Sequence, residues 1–433
     1  AIREIISVFG YVYRMIGMGI GLIATVISLF FPLIFKDSPI GLGIVYFAFF
    51  SFLTSSLIGY FINYRQILLT ADQKNYVVVA YFQTGGIIKT LLQITLAYYT
   101  RNVYLWVIIE LLFGFINCGI LNWKINKVYP WLHTDIRQGR QLLKQYPDIF
   151  TKTRQIFIHR IKDFILNKSD EILVFAFVSL KMVAYYGNYL LIINKIILFM
   201  NVVSDGMGAG VGNLVAEGNM KNTMKVFWEL TAIRFYVTGV VCFGLFYFTN
   251  PLITLWLGSE YLLDNWILYL LLFNLFVMFT RGVVQMYIHS YGLYADTWSA
   301  WFEVIVNLMV TVICASQWGI IGILLGKVLS STIIALFWKP YYLYRDGLKL
   351  SIFDYWKGMM PYYFLFALGI ALFYPIVHTH ILPHIHDFID LLLYGGGIIA
   401  IYAIAYIIIL YICTTGMRNF VCRIPIVHKF LRR

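Results

Sequence analysis

The side chains in this sequence that could do chemistry are charged residues that interrupt two apolar stretches between residues 156 and 205. In the first stretch, polar residues follow spacings of three and four, which gathers them on one helix face. They are Arg160, Asp163, Asn167, Asp170 and Glu171. A charge at the centre of a bilayer costs about 2.5–3.5 kcal/mol, so these side chains should face a cavity, a partner or a ligand.

The second stretch carries a single base. Lys195 lies seven residues after Asn188, on the same helix face, and no acidic residue occurs within a turn or two of it in sequence. At about 1.5 Å per residue, Lys195 falls near the middle of a membrane-spanning helix. Its anion must come from elsewhere, either from a carboxylate such as Asp170 or Glu171 or from a substrate phosphate.

A cation site is one hypothesis for the polar residues. Asp163 and Asn167 are four residues apart, as are Glu303 and Asn307, so each pair shares a helix face. Oxygen ligands from two helices at one depth suit a sodium ion. The alternative is that these carboxylates are satisfied by nearby bases such as Arg160 or Lys162.

Other charged residues also lie in or beside apolar stretches. Lys89 and Glu110 fall in neighbouring segments, where Lys89 either pairs with Glu110 or contacts a substrate. Arg234, Arg281 and Lys327 are further bases of this kind.

Two local motifs have competing interpretations. The glycine-rich run GMGAGVGN at 206–213 lacks a preceding strand and a closing Lys-Ser/Thr, which favours close helix packing over a phosphate loop. The segment HTHILPHIHD contains four closely spaced histidines, His378, His380, His384 and His386, a residue type that binds metal ions. Their spacing nevertheless favours a solvated loop over a metal centre. No motif of a catalytic centre occurs, so we expect a protein that is not an enzyme.

Composition sets the class. Of 433 residues, 61% are apolar and 12% are charged, which excludes a soluble globular protein and indicates an all-α polytopic membrane protein. Twelve spans are predicted, at about 12–35, 41–62, 76–99, 103–123, 156–180, 182–205, 226–249, 263–290, 297–316, 319–338, 359–377 and 391–413.

Charge predicts the orientation. Lys and Arg are concentrated in one set of alternating loops and in the C-terminal tail, with seven between residues 124 and 155, whereas the opposite loops hold only Lys36, Arg101 and Lys181. The positive-inside rule therefore predicts that the basic loops and the C-terminus are cytoplasmic. The net charge of +13 needs no nucleic acid as partner.

The basic run also predicts the domain organisation. Four predicted spans precede residues 124–155 and eight follow them, and these residues would form a cytoplasmic connector containing an amphipathic helix on the membrane surface.

Several segments resemble bacterial polysaccharide flippases of the multidrug/oligosaccharidyl-lipid/polysaccharide exporter superfamily. They are SDEILVFAFVSL, YYGNYLLIINKI, GNLVAEGN, NPLITLWLGSEYLL, GIIGILLGKVLSS and FWKPYYLYRDG. The resemblance implies two pseudo-symmetric six-helix lobes around a central cavity, with two extra C-terminal helices. On that plan residues 1–123 are four spans of a first lobe, 156–345 are the six-span second lobe, and 346–433 are two further spans and a basic tail. The first two helices of the plan are missing from this sequence, and Lys327 stands where a small hydroxyl residue is expected.

The resemblance further implies transport of a polyprenyl-pyrophosphate-linked oligosaccharide across the bacterial inner membrane by alternating access, for surface polysaccharide biosynthesis. Membrane lipids and other polysaccharide-assembly proteins would be partners. No cofactor is expected, although sodium or a proton could be the coupling ion. A multidrug antiporter is the main alternative, and a polysaccharide polymerase or ligase is a weaker one.

Under this hypothesis the site residues have two roles. The substrate would be bound by Lys195, Asn188, Arg160, Lys162, Lys89, Arg234 and Arg281. A coupling cation would be held by Asp163, Asn167, Asp170, Glu303 and Asn307.

Overall fold

The computed structural model describes residues 2–34, 41–145, 147–205 and 207–423, without the side chains of residues 34, 149, 150, 167–169, 171, 172, 175, 180 and 202–205. Within this part of the chain the regular elements are all helical, as the apolar runs predict. The chain divides into two compact units, Ala1–Thr151 and Lys152–Arg433.

The described residues of unit 1 that precede α8 form four long helices and three short ones. They are α1 Ile2–Ser28, α2 Phe31–Ile34, α3 Leu42–Ile62, α4 Gln66–Ala71, α5 Asn75–Thr100, α6 Val103–Val128 and α7 Gly139–Gln145. Within the unit, α3 packs against α1 and α6, and α5 packs against α6. Its described core is a small cluster around Tyr64, Leu121 and Ile125.

The next helix, α8, spans Pro147–Phe177 and continues from the last residues of unit 1 into unit 2. The other helices of unit 2 are α9 Leu180–Asp205, α10 Met207–Ala216, α11 Met220–Leu257, α12 Asn265–Thr280, α13 Gly282–Ser290, α14 Thr297–Trp318, α15 Ile320–Ser331, α16 Lys339–Tyr342, α17 Ile352–Ile376, α18 Phe388–Asp390, α19 Gly396–Cys413 and α20 Thr415–Arg423.

Wider π-helical turns join several of these helices into longer rods. They span Thr332–Trp338, Leu343–Leu348, Val377–Ile381 and Leu391–Gly395. As a result, Ile320–Leu348 is one continuous apolar segment of 29 residues.

Eleven helical segments of the described residues are long and apolar enough to cross a membrane, against the twelve predicted. The difference is the predicted span 156–180. It forms the second part of α8, a continuous helix of 31 residues, but its charged residues keep it out of the apolar set. The chain is a multi-pass membrane protein in which this one helix depends on partners for its polar face.

The large core of unit 2 is built around α11, which packs against α12, α19 and α20. Aromatic rings fill it: Phe243 stacks on Tyr402 with ring centroids 3.9 Å apart, and both side chains are fully buried. In turn, α12 packs against α15, which pairs with α14.

The hairpin of α14 and α15 is tightly closed. Gly319 turns the chain with φ of +53°, a conformation that suits glycine. A methyl group at Gly326 would lie 2.4 Å from the Thr311 hydroxyl, so only glycine permits this approach. The hairpin thereby brings Glu303 and Lys327 to the same neighbourhood as α8.

The predicted connector of residues 124–155 contains several short elements and the beginning of α8 at Pro147. Helix α6 continues to Val128, and a single 3-10 turn, Ile136–Gln138, leads into the seven-residue α7. Gly139 at the start of α7 packs directly on Ser7 of α1, which leaves no room for a side chain there.

Candidate functional site

The polar face of α8 is bound by a carboxylate of α14 and a lysine of α15. Lys162 is at its centre: its Nζ lies 3.0 Å from Glu303 Oε2 and 2.9 Å from Asp163 Oδ1. Lys162 and Glu303 are both buried. The sequence left open whether these carboxylates hold a cation or are satisfied by a base, and the pairing with Lys162 is confirmed.

Two other members of the predicted cation site are the side-chain amides of Asn307 and Asn167. Asn307 is buried, and its Nδ2 has no hydrogen-bond partner among the described residues. The side chain of Asn167 lies outside the described part of the structure. Arg160, the alternative base, is exposed and makes no ion pair with a described residue.

Asp170 lies two turns further along the same face of α8. Its Oδ2 accepts a hydrogen bond from Lys327 Nζ at 2.7 Å, and the carboxylate is buried. Asp170, one of the carboxylates considered as a partner of Lys195, is therefore paired with Lys327 instead. The side chain of Glu171, the other expected partner, lies outside the described residues.

A third ionic cluster surrounds Asp296, just before α14. Asp296 Oδ2 accepts hydrogen bonds from Lys339 Nζ at 2.6 Å and from Trp338 Nε1 at 3.0 Å, and His159 Nε2 lies 3.5 Å from Oδ1. Burial raises the pKa of Asp296, but contact with His159 and the charge of Lys339 outweigh burial and lower it to about 2. Asp296 is therefore an anion.

The sequence contains one signal for this cluster that the predicted site residues do not include. His159 precedes Asp163 by four residues and so belongs to the polar face of α8. Asp296 and Lys339 give no such signal, because each lies at the edge of an apolar run.

Lys195 stands apart from these clusters. Its side chain is exposed on α9, about 4 Å along the axis from the middle of that helix, and it makes no ion pair with a described residue. The neighbouring exposed side chains Leu191, Leu198 and Phe199 are apolar. Asn188, two turns earlier, is half-buried.

The predicted bases Arg234 and Arg281 meet at the junction of α12 and α13. The guanidinium of Arg234 packs against Gly282, the residue after Arg281: a methyl group added there would lie 2.6 Å from Nη1. Both arginines are half-buried. Nearby in α11, the buried Glu229 pairs with Arg423 at 3.1 Å.

In unit 1, the pairing of Lys89 with Glu110 is confirmed. Lys89 Nζ lies 2.7 Å from Glu110 Oε1, and Gln93 Nε2 donates to Glu110 Oε2 at 3.2 Å. This pair links α5 to α6 and engages Lys89 within the protein.

A shallow apolar cleft opens on unit 1, with a volume of about 430 Å³. Its lining is Tyr46, Phe47, Phe50, Ser51, Thr54 and Leu111. Because no charged residue lines it, it suits hydrocarbon rather than a head group.

The structure also describes the two motifs that have competing interpretations. In the glycine-rich run, α10 begins at Met207, so residues 207–213 are helical rather than a phosphate-binding loop, and residue 206 lies outside the described range. His378, His380, His384 and His386 are all exposed. Across the described residues, no group of three or more His, Cys, Asp or Glu side chains could hold a metal ion.

These features define a polytopic helical protein whose second unit contains a charged helix held by ion pairs. No protein-family model matches the chain, and no curated protein matches it significantly. Solved structures share its fold, and they include the following two. One is a mutant of the Vibrio cholerae MATE transporter VcmN, with a TM-score of 0.57 and 15% identity, covering 79% of this chain and 80% of that one.

The other is the lipid II flippase MurJ in an inward closed conformation. Its TM-score is 0.53 at 15% identity, and the match covers 93% of this chain and 83% of that one. At this level of identity the likeness concerns the fold.

Proposed function

We propose that the protein flips a polyprenyl-pyrophosphate-linked oligosaccharide from the cytoplasmic to the outer leaflet of the bacterial inner membrane, by alternating access. The oligosaccharide would serve surface polysaccharide assembly. The fold supports this class of function, since it is similar to that of a lipid II flippase over 93% of the chain.

The observation that carries the proposal is that the carboxylates near α8 are paired, whereas one lysine has no described partner. Asp163, Asp170, Asp296 and Glu303 each contact a lysine ammonium group. Lys195, by contrast, has no described carboxylate partner although it lies mid-helix among apolar side chains. A charge at that depth requires water or a counter-ion, and the pyrophosphate of a carrier lipid is a suitable one.

Lys195 is accordingly the principal phosphate contact in this proposal. Arg160, exposed on α8, and the half-buried Arg234 of α11 and Arg281 at the end of α12 are additional cationic groups for the head group. Asn188 is an amide that can bind sugar hydroxyls. Lys162 and Lys89 contribute less, because carboxylates already engage them.

A coupling ion, sodium or a proton, is part of the proposal. A cation bound between Asp163 and Glu303 would compete with the ammonium of Lys162, which lies within 3.0 Å of both. Coupling at this site therefore requires Lys162 to move.

A multidrug antiporter is the second candidate, because the fold is also similar to that of a MATE transporter. Cationic drugs would need available carboxylates. In the described membrane segments of unit 2, the acids named above are bound to lysines, and Glu229 is bound to Arg423. This favours an anionic substrate.

Reconstituted protein distinguishes the two. Proteoliposomes would contain a fluorescent polyprenyl-pyrophosphate oligosaccharide, and a membrane-impermeant quencher would report the fraction in the outer leaflet over time. We expect protein-dependent flipping, inhibited by unlabelled polyprenyl pyrophosphate and not by a lipophilic organic cation. Transport of the cation without flipping of the lipid would reject the proposal.

A further inference from the structure

One guanidinium of unit 1 is held in position without a carboxylate. Arg65 ends the turn Asn63–Arg65 that follows α3. Its Nη1 donates to Asn126 Oδ1 at 2.8 Å, and its Nη2 donates to Asn122 Oδ1. Arg65 makes no ion pair with any residue that the structure describes.

The two asparagines orient Arg65 but leave its charge in place. A guanidinium has five N–H donors, and two of them are used here, by neutral amide oxygens. The nearby carboxylate of Asp72 is engaged elsewhere, by Lys74 at 2.6 Å and by the hydroxyl of Tyr129 at 2.8 Å. Three donors of a fixed, half-buried guanidinium thus remain for a ligand.

The surroundings are those of a membrane surface. Trp123 is exposed in the last turns of α6, and Lys127 Nζ lies 5.5 Å from the centre of its ring. Exposed tryptophan together with lysine at the end of a spanning helix is typical of the head-group level of a bilayer. Charge asymmetry predicts that this end of α6 faces the cytoplasm.

We infer that Arg65, positioned by Asn122 and Asn126 and assisted by Lys127, is a binding site for the phosphate group of a lipid at the membrane surface. The planar guanidinium matches two phosphate oxygens at once, which a fixed orientation favours. The phosphate belongs either to an anionic phospholipid or to the diphosphate of a carrier lipid. Such a site binds lipid whether or not the protein flips one.

A purely structural role for Arg65 is the competing explanation. The carbonyl ends of α3 and α6 carry partial negative charge, and a guanidinium there stabilises both helices. The two explanations differ in lipid binding, because a helix cap stabilises the fold without binding phosphate.

Native mass spectrometry of the full chain in detergent separates them. The protein is titrated with phosphatidylglycerol, with polyprenyl diphosphate and with zwitterionic phosphatidylcholine. Arg65→Gln is compared with Arg137→Gln, which removes an exposed arginine of the same charge from another turn of unit 1. Circular dichroism verifies that each variant is helical.

We expect Arg65→Gln to weaken binding of one or both anionic lipids about tenfold, and Arg137→Gln to weaken it less than about twofold. Loss for phosphatidylglycerol alone identifies a phospholipid site, and loss for polyprenyl diphosphate alone identifies a carrier-lipid site. Loss for both identifies a general lipid-phosphate site. Unchanged binding of both lipids, or equal losses in the two variants, overturns the inference.

A second variant keeps the charge. The double substitution Asn122→Ala and Asn126→Ala frees the guanidinium, and we expect binding about threefold weaker than in the wild type. If Arg65→Gln does not fold, this variant carries the test: wild-type affinity for both anionic lipids in a folded double variant would overturn the inference.

Discussion

Lys327 Nζ lies 2.7 Å from Asp170 Oδ2 and joins α15 to α8 across 157 residues of sequence. Together with the contacts of Lys162 and Lys339, it makes three lysines that neutralise carboxylates along or beside α8. These contacts account for how a helix with so many charges can lie in a membrane protein. The same contacts predict how substitutions of these residues change the stability of the protein and its binding of ions.

Removal of Lys327 should destabilise the protein. Lys327→Ala leaves the buried Asp170 carboxylate without its partner, which costs about 3 kcal/mol. Adding Asp170→Asn should restore most of this loss, because no charge is then left buried. Thermal unfolding in detergent measures both, with exposed Lys221→Ala as the control. Equal stability of Lys327→Ala and Lys221→Ala would show that the pair contributes nothing.

Removal of Lys162 should create a sodium site. In Lys162→Ala, the Asp163 and Glu303 carboxylates face the place of the lost ammonium, where a small cation can bind. We expect sodium, compared with choline, to stabilise this variant by about 1 kcal/mol at roughly tenfold excess over its dissociation constant.

The wild type should show a much smaller effect, because sodium must first displace the Lys162 ammonium, and adding Glu303→Gln to Lys162→Ala should abolish the gain. A wild-type protein stabilised by sodium as strongly as the variant would mean that Lys162 does not occupy the site.

Asp296 should give stability a component that depends on pH. Its pKa is about 2 in the folded protein, against an ordinary value of 3.8. A lowered pKa stabilises the folded state above the ordinary value, and this contribution is lost as pH falls from about 3.8 through about 2.

Asp296→Asn should therefore cost about 2 kcal/mol near neutral pH, and its difference from the wild type should narrow between pH 4 and pH 2. Unfolding curves across this range, with exposed Asp354→Asn as the matched control, measure the difference. A difference that stays constant over these two units would contradict the assignment.

Orientation can be tested with single cysteines. The exposed Cys413 and Cys422 are first replaced by serine. We then expect an impermeant thiol reagent to label His384→Cys in intact cells and Arg137→Cys only after lysis, since the positive-inside rule assigns residue 137 to the cytoplasm. The reverse pattern would invert the predicted topology.

Much of the fold could be predicted from the sequence because apolar runs of membrane length leave the backbone no alternative to helix. The ends of the helices were harder to predict from the sequence. The predicted span 226–249 is α11, Met220–Leu257, which continues through Pro251. Proline near a helix end was a plausible stop, but packing on α12 and α19 overrides that local preference.

Pairing was easiest to predict between neighbours in the sequence, although Lys162 was also considered as a partner of the distant Glu303. Lys89 and Glu110 lie on consecutive antiparallel helices 21 residues apart, so their contact follows from helix spacing alone. The partner of Asp170 depends on which distant helix packs on α8 and in what register. Packing between distant helices determines this partner, and the residue pattern of a single helix contains no information about it.

Lys195 provides the sharpest test of the proposed function. An ammonium exposed mid-helix without a described partner should matter little for folding, because its removal leaves no carboxylate of a described residue unpaired. We expect Lys195→Ala to unfold at the wild-type temperature while oligosaccharide flipping falls by about tenfold or more, the loss of one charge-assisted phosphate contact. Lys195→Arg should keep part of the activity, since it retains the charge.

Lys181→Ala is the matched control on the same helix: it removes an exposed lysine at the start of α9 and should leave flipping unchanged. If instead Lys195→Ala is unstable and regains transport when an acidic neighbour is also neutralised, Lys195 has a structural partner. A stable and fully active Lys195→Ala protein would exclude both roles, because a charge at this depth would then serve neither the fold nor the substrate.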